Sequence, residues 1–116
     1  MAELAELIRA VDTALAETER EYEQLPFFVR PLIQRGFSKR TGRDIAGWRM
    51  LLAQAGRGDR PRALIDGLAA LAEHYRGAPE RARRGMGATA AQLAIVEQRS
   101  RERAAAVEAL RAALAA

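Results

Sequence analysis

Residues 4–25 read LAELIRAVDTALAETEREYEQL. One set of side chains in this stretch recurs at alternating steps of four and three residues, which is the spacing of a heptad seam on a helix and not the strict alternation of a half-buried strand. The seam consists of Leu4, Ile8, Val11, Leu15, Thr18, Tyr22 and Leu25. We therefore predict a first helix from about Ala2 to Gln24, ended by Pro26 because proline disfavours the helical conformation in the residue before it.

Start and stop signals divide the middle of the chain into three further helices. A short helix is predicted from about Pro31 to Lys39, because proline is tolerated in a first helical turn. After the turn at 41–44, the Asp44 carboxylate can cap a helix that buries Ile45, Trp48, Leu51 and Leu52. After the glycine break at 56–58, Asp59 and Pro61 begin a helix that ends at Gly77 and buries Leu64, Ile65, Leu68, Leu71, Ala72 and Tyr75.

The last third of the chain predicts a basic turn followed by one long helix. Pro79 opens the turn, Gly85-Met86-Gly87 interrupts it, and Thr89 caps the last helix, whose apolar seam is Leu93, Val96, Val107, Leu110 and Leu114. Ser100 and Arg103 occupy the two seam positions in between. Because burying an unpaired arginine is costly, we expect this stretch to be solvated, paired with a carboxylate of helix 1, or protruding beyond the bundle.

These elements predict an all-α fold, a compact bundle of four to five helices with long N- and C-terminal amphipathic helices. A length of 116 residues suits a single helical domain over residues 1–116. We expect the aromatic residues Phe27, Phe28, Phe37 and Trp48 to lie in the core. A core Trp48 should cost about 3 to 5 kcal/mol when replaced by alanine.

The reactive side chains argue against several classes of enzyme. The sequence has no cysteine and one histidine, so it lacks the ligands of a structural zinc site and the Glu-x-x-His pairs of a di-iron bundle. No serine lies on a nucleophile elbow, and the glycine pairs at 56–58 and 85–87 lack the strand and lysine of a phosphate-binding loop. His74, at a helix end, is interpreted as a favourable terminal charge. We expect no enzyme activity, no metal and no cofactor.

Composition also bears on the compartment. Cysteine is absent, and the first six residues carry acids where a secretion signal needs a basic start. No apolar run approaches the roughly 18 to 20 residues of a membrane span. We therefore expect a soluble cytoplasmic protein with no membrane contact.

Charge is sorted into blocks along the chain. Residues 1–25 carry seven carboxylates and two arginines, a net charge of −5, whereas residues 26–62 carry nine basic side chains and two acids, a net charge of +7. Residues 63–116 carry eight arginines and six acids, which gives +2 and completes the overall +4. A local excess of this size attracts anions and acidic surfaces.

Seven basic side chains form the candidate binding surface. Those of the central block are interleaved with Phe37 and Trp48, a pattern typical of phosphate contacts with aromatic support. The candidate residues are Arg35, Lys39, Arg40, Arg43, Arg49, Arg99 and Arg103.

About fifteen residues at the same place carry a family resemblance. Arg35, Phe37, Lys39, Thr41, Gly42, Asp44, Trp48 and Arg49 fall in an order and spacing that resembles the second helix-turn-helix of the AraC-type transcription activators. The resemblance implies a small helix-turn-helix and DNA binding. The chain departs from the family pattern at Ile45, where a proline is common, and in the two prolines at 26 and 31.

The sequence leaves two main functional hypotheses, and a third, enzymatic one would require a cofactor or a partner chain to bring the chemistry. The first is a non-enzymatic helical binding or adaptor protein, self-associating or bound to a protein partner, because the seams of the terminal helices could be buried by association. The alternative is a small DNA- or RNA-binding protein that uses the basic block 26–62. The basic side chains could be neutralised by helix 1, by an acidic partner or by a second copy of the chain.

Overall fold

Six helices make up the part of the chain that the computed structural model describes, residues 3–85 and 87–116. Their bounds are α1 Leu4–Glu23, α2 Arg30–Thr41, α3 Ile45–Gly56, α4 Arg62–Arg76, α5 Ala78–Arg84 and α6 Ala90–Ala115. The all-α prediction with long first and last helices is confirmed. Helix α5 lies where the sequence predicts only a basic turn. The described residues therefore form six helices, whereas four to five were predicted. The expected helix start at Ala2 and the break at Met86 lie outside the described residues.

Capping residues end α2 and begin α3 and α6 where the sequence predicts, whereas α4 begins after Pro61 with no side-chain cap from Asp59. Gly42, with φ of 92°, closes α2 in the left-handed region that favours glycine. The Asp44 carboxylate then accepts a hydrogen bond of 2.7 Å from the Gly47 backbone N–H at the start of α3. Thr89 and Gln92 form a reciprocal capping box at the start of α6.

One hydrophobic core joins five of the described helices. Helix α4 packs against α2, α3, α5 and α6, and α1 packs against α2, α3 and α6. The α4 residues in the core are Leu64, Leu68, Leu71, Ala72 and Tyr75. The other four helices contribute Ile8, Val11, Leu15, Phe37, Ile45, Trp48, Leu52, Ala55, Ala104, Val107 and Leu110. Leu51 and Ile65, which the sequence also places inside, are only partly buried.

The apolar seam of α1 packs into the core of its own chain. Ile8, Val11 and Leu15 are buried, and so is the polar seam residue Thr18. The Thr18 hydroxyl shares a 2.8 Å hydrogen bond with the Tyr75 hydroxyl and donates to the Ala14 carbonyl. A seam already filled in this way offers little further apolar surface to a second copy.

Trp48 is a core residue, as predicted, and it is fully buried. Its indole N–H donates a 3.0 Å hydrogen bond to the Thr41 hydroxyl, which fixes the ring. On the facing helix α4, a Cβ at Gly67 would lie only 2.8 Å from Trp48 Cη2. The close approach of α3 and α4 therefore depends on glycine at this position.

The core prediction is wrong for Phe27 and Phe28. Phe37 is buried, but Phe27 is 80% exposed and Phe28 is 73% exposed. The physical reason is the direction in which α2 faces: Phe37 and Thr41 point into the core, so the opposite side of α2 and of the turn before it faces outward.

No helix within the described ranges is both long enough and apolar enough to cross a membrane.

Candidate binding surface

The outer face of α2 begins in the turn that precedes the helix. The backbone N–H groups of Val29 and Arg30 donate to the Pro26 carbonyl at 3.0 and 3.1 Å, so this turn is helical in form and leads into α2. The Arg30 guanidinium holds the turn against α1, since it donates to the carbonyls of Glu23 at 2.7 Å and Leu25 at 3.1 Å. These bonds position the exposed side chains between them.

Four exposed side chains follow one line along this face. Positions 28, 32, 35 and 39 are separated by steps of four, three and four residues, which keep to one side of a helix. Phe27 joins them because its ring meets the Phe28 ring edge-on, with centroids 5.8 Å apart. We name this surface the α2 stripe and define it as Phe27, Phe28, Leu32, Arg35 and Lys39.

The α2 stripe has an apolar end and a cationic end. Leu32 is 66% exposed, which makes it one of three large apolar side chains that face solvent at the start of α2. Arg35 and Lys39 are exposed and have no hydrogen-bond or ion-pair partner among the described residues. The helix itself, RPLIQRGFSKRT, contains no acidic residue. Its positive charge is therefore not neutralised locally.

Arg40 and Arg43 of the candidate surface are already engaged inside the protein. Arg40 Nε donates to His74 Nδ1 at 3.2 Å. The Arg43 guanidinium lies over the Trp48 ring, 4.8 Å from its centroid, and Arg43 Nε is buried without a hydrogen-bond partner among the described residues. Arg43 therefore covers the core tryptophan.

Arg49 belongs to an ion pair between α3 and α1. Its Nε lies 2.9 Å from Asp12 Oδ1 and its Nη1 lies 3.7 Å from Glu19 Oε1. The hydrogen bond that Arg49 donates to the Asp12 carboxylate raises the pKa of Arg49. This pair lies in an open groove of about 680 Å³ between the two helices, whose lining also includes Ile8, Met50 and Leu52.

Arg99 and Arg103 are held by the acidic face of α1. Arg103 Nη2 lies 2.6 Å from Glu21 Oε2, and its Nη1 donates to Glu21 Oε1 at 3.0 Å, which makes the pair bidentate. Arg99 Nη1 lies 3.5 Å from Glu21 Oε2. Burial alone would lower the pKa of Arg103, but the Glu21 carboxylate raises it overall. Of the three expectations for this stretch of α6, pairing with helix 1 is the one confirmed for Arg103.

The seven candidate residues therefore do not form one surface. Arg35 and Lys39 lie on the α2 stripe, whereas the other five contact aromatic rings, His74 or carboxylates. Sequence reasoning missed the stripe because it placed the two phenylalanines in the core. One signal in the sequence could have revealed the stripe: Phe27 and Phe28 come directly after Pro26, the residue predicted to end the first helix.

His74 differs from its predicted role as a terminal charge. It is buried, 4% exposed, and burial followed by the nearby Arg81 and Arg40 lowers its pKa to about 3. Its ring also meets the Phe37 ring edge-on, with centroids 4.7 Å apart. His74 is therefore neutral at physiological pH.

The described residues, 3–85 and 87–116, contain no cluster of three or more His, Asp or Glu side chains that could hold a metal ion.

No protein-family model matches the chain, and no curated protein or solved structure shows significant similarity to it. The local resemblance to the AraC-type activators thus has no family match to support it.

Proposed function

We propose that this chain is a non-enzymatic binding or adaptor protein that holds an acidic partner protein on the α2 stripe. The observation that carries the proposal is the exposure of Phe27, Phe28 and Leu32, at 80%, 73% and 66%, beside uncompensated positive charge. Apolar side chains scattered singly on a surface need no explanation, but adjacent ones rimmed by polar residues mark interaction sites.

The apolar end is large enough to drive association. Covering the exposed parts of Phe27 and Phe28 would remove on the order of 300 Å² of aromatic surface from water. At about 25 cal/mol per Å² this is a gross gain of about 7 kcal/mol. Lost translational and rotational freedom offsets much of this gain, so Leu32 and the two cations are needed for useful affinity.

An acidic partner explains the stripe better than a second copy of the chain does. A two-fold dimer would place the same patch of each copy against itself. The interface would then contain Arg35 and Lys39 of both copies and no carboxylate from α2 to pair with them, which is unfavourable. A partner with apolar anchors followed by carboxylates would match both ends of the stripe.

Nucleic-acid binding is the second candidate, and one observation favours it. Exposed aromatic rings next to cations suit the stacking of unpaired bases, so single-stranded RNA or DNA fits the stripe better than a duplex does. Helix α3, in the position of a recognition helix, exposes Ala46, Met50 and Ala53. Its one arginine, Arg49, is held by Asp12.

The test is fluorescence anisotropy with a labelled synthetic amphipathic peptide that carries leucine and phenylalanine on one face and glutamate on the other. A scrambled peptide of the same composition, a lysine version and a single-stranded oligonucleotide are titrated in parallel. We expect the acidic amphipathic peptide to bind most tightly. Binding should weaken as salt rises, because part of the attraction is between exposed charges.

Variants separate the two ends of the stripe. Phe27→Ser with Phe28→Ser should weaken peptide binding at every salt concentration, while Met50→Ser, at a 65% exposed position on α3, serves as the matched control. Lys39→Glu should weaken binding mainly at low salt.

Equal binding of the scrambled peptide would contradict the proposal. Tighter binding of the oligonucleotide would move the function to the nucleic-acid candidate, and concentration-dependent dimerisation through the stripe would move it to self-association.

A further inference from the structure

Two arginines from different helices converge on one buried histidine. Arg40, in the last turn of α2, places Nε 3.2 Å from His74 Nδ1. Arg81, on α5, places Nη2 3.3 Å from the same ring nitrogen and donates to the His74 carbonyl at 2.7 Å. The two guanidinium groups therefore face each other across a single acceptor atom.

His74 does not neutralise the positive charges of Arg40 and Arg81. Its Nδ1 accepts from both arginines, so the ring carries its proton on Nε2 and is uncharged. Neither Arg40 nor Arg81 has a carboxylate within ion-pair distance among residues 3–85 and 87–116. The cluster consequently holds two positive charges and no negative one.

This arrangement is unfavourable without a counter-ion. Arg81 is half-buried, and its pKa is lowered first by that burial and then by the charge of Arg40. The largely buried Arg103 side chain, in contrast, is met by the Glu21 carboxylate. Arg40 is exposed and Arg81 is only partly buried, so an anion can reach both members of this like-charge pair and would stabilise it.

Glycines let the two guanidiniums lie close to the backbone. A Cβ at Gly36 would lie 3.1 Å from Arg40 Nη1, and a Cβ at Gly77 would lie 2.8 Å from Arg81 Nη1. Arg40 uses only Nε for His74 and Arg81 uses only Nη2. Their remaining N–H groups have no acceptor among the described residues. Those of Arg81 are not closed off from solvent.

We propose that Arg40 and Arg81 form a binding site for a phosphate-type oxyanion, with His74 as the neutral acceptor that orients both guanidiniums. The free N–H groups and the two positive charges of these guanidiniums suit the several oxygens of a tetrahedral anion better than the two oxygens of a carboxylate. The ligand is free phosphate or the phosphate monoester of a small molecule. The site does not depend on what binds the α2 stripe.

The test is NMR of the arginine side-chain N–H groups in the full chain, titrated with sodium phosphate against sodium chloride at equal ionic strength. We expect saturable shifts of the Arg40 and Arg81 signals. Arg81→Gln should weaken phosphate binding by at least about tenfold, since it removes one of the two charged donors. Arg84→Gln removes the same charge from the same helix and should leave binding unchanged.

Two further observations keep the result interpretable. Arg81→Gln removes the repulsion with Arg40 together with the hydrogen bonds to His74, so it should keep a cooperative thermal transition in phosphate-free buffer, which reports that the variant is folded. Gly77→Ala should weaken phosphate binding while every charge is retained, because the new methyl group displaces Arg81.

Unsaturable shifts, or equal affinities in the Arg81→Gln and Arg84→Gln variants, would overturn the site and leave only general screening by salt. A parallel titration with methyl phosphate distinguishes the two ligand sources. Tighter binding of inorganic phosphate would support the free anion, and tighter binding of the methyl ester would support a small phosphate monoester.

Discussion

The contact between Gly67 and Trp48 gives the sharpest prediction about stability. Replacing Gly67 by alanine would place a methyl group 2.8 Å from Trp48 Cη2 and 3.3 Å from Cζ2. Ordinary contacts begin at 3.4 Å, so one of the two helices has to shift. The Trp48 ring cannot move aside easily, because it is fully buried and its N–H is bonded to Thr41 at 3.0 Å.

Two opposing effects decide the magnitude. Overpacking of a filled core costs about 1 to 3 kcal/mol. Alanine in place of glycine inside a helix gains about 1 kcal/mol. We therefore expect Gly67→Ala to lower the free energy of unfolding by about 1 kcal/mol. For a chain of this size that is a fall in melting temperature of about 4 °C.

Urea denaturation followed by circular dichroism measures this difference. Gly56→Ala is the matched control, since a Cβ at this α3 position meets nothing within 4 Å, and it should be neutral or stabilising. In a Trp48→Phe background, where the clashing ring atoms are absent, Gly67→Ala should become stabilising. If Gly67→Ala stabilises the wild-type chain as much as Gly56→Ala does, the close packing of α3 on α4 is refuted.

Three further predictions concern other parts of the fold. In the folded protein the pKa of His74 is lowered to about 3, whereas in the unfolded chain His74 protonates below about pH 6.5. The free energy of unfolding should therefore fall as the pH drops from about 6.5 towards 3, by as much as about 5 kcal/mol. A His74→Gln variant should lose this part of the pH dependence in urea titrations, and an unchanged profile would show that His74 is not the cause. Glu21→Gln leaves the largely buried Arg103 side chain without its main carboxylate and should cost about 1 to 3 kcal/mol. Glu80→Gln, which removes the carboxylate of an exposed ion pair, should cost less than about 1 kcal/mol. Equal urea midpoints for the Glu21→Gln and Glu80→Gln variants would contradict the account. Thr89→Ala should cost about 1 kcal/mol and speed amide exchange in the first turns of α6 while α4 stays protected.

Local signals in the sequence were sufficient for most of the helices. The heptad seam of α1, the Asp44 and Thr89 caps and the left-handed Gly42 depend on neighbouring residues, so their structural role can be inferred without knowing the tertiary fold. Helix α5 was missed because its seven residues bury no side chain and show no apolar period.

The candidate sites depend on tertiary packing, which sequence patterns do not contain. Phe27 and Phe28 have the composition of core residues, and only the direction in which Phe37 turns α2 leaves them exposed. The pairing of Arg103 with α1 was anticipated as one of three alternatives, since a seam position demanded a carboxylate. The meeting of Arg40, Arg81 and His74 was not anticipated, because Arg40 is 34 residues away from His74 in the sequence.

Lys39 allows a direct test of the central claim, because it is the only lysine in the sequence and lies at the cationic end of the α2 stripe. Carbodiimide treatment joins an amine to a carboxylate only where the two are in contact. The measurement is mass spectrometry of the full chain treated in the presence of the acidic amphipathic peptide. The account predicts a peptide cross-link at Lys39 that disappears in the Phe27→Ser, Phe28→Ser variant and persists in Met50→Ser. A cross-link that forms equally with the scrambled peptide, or that is indifferent to the two phenylalanines, would contradict it.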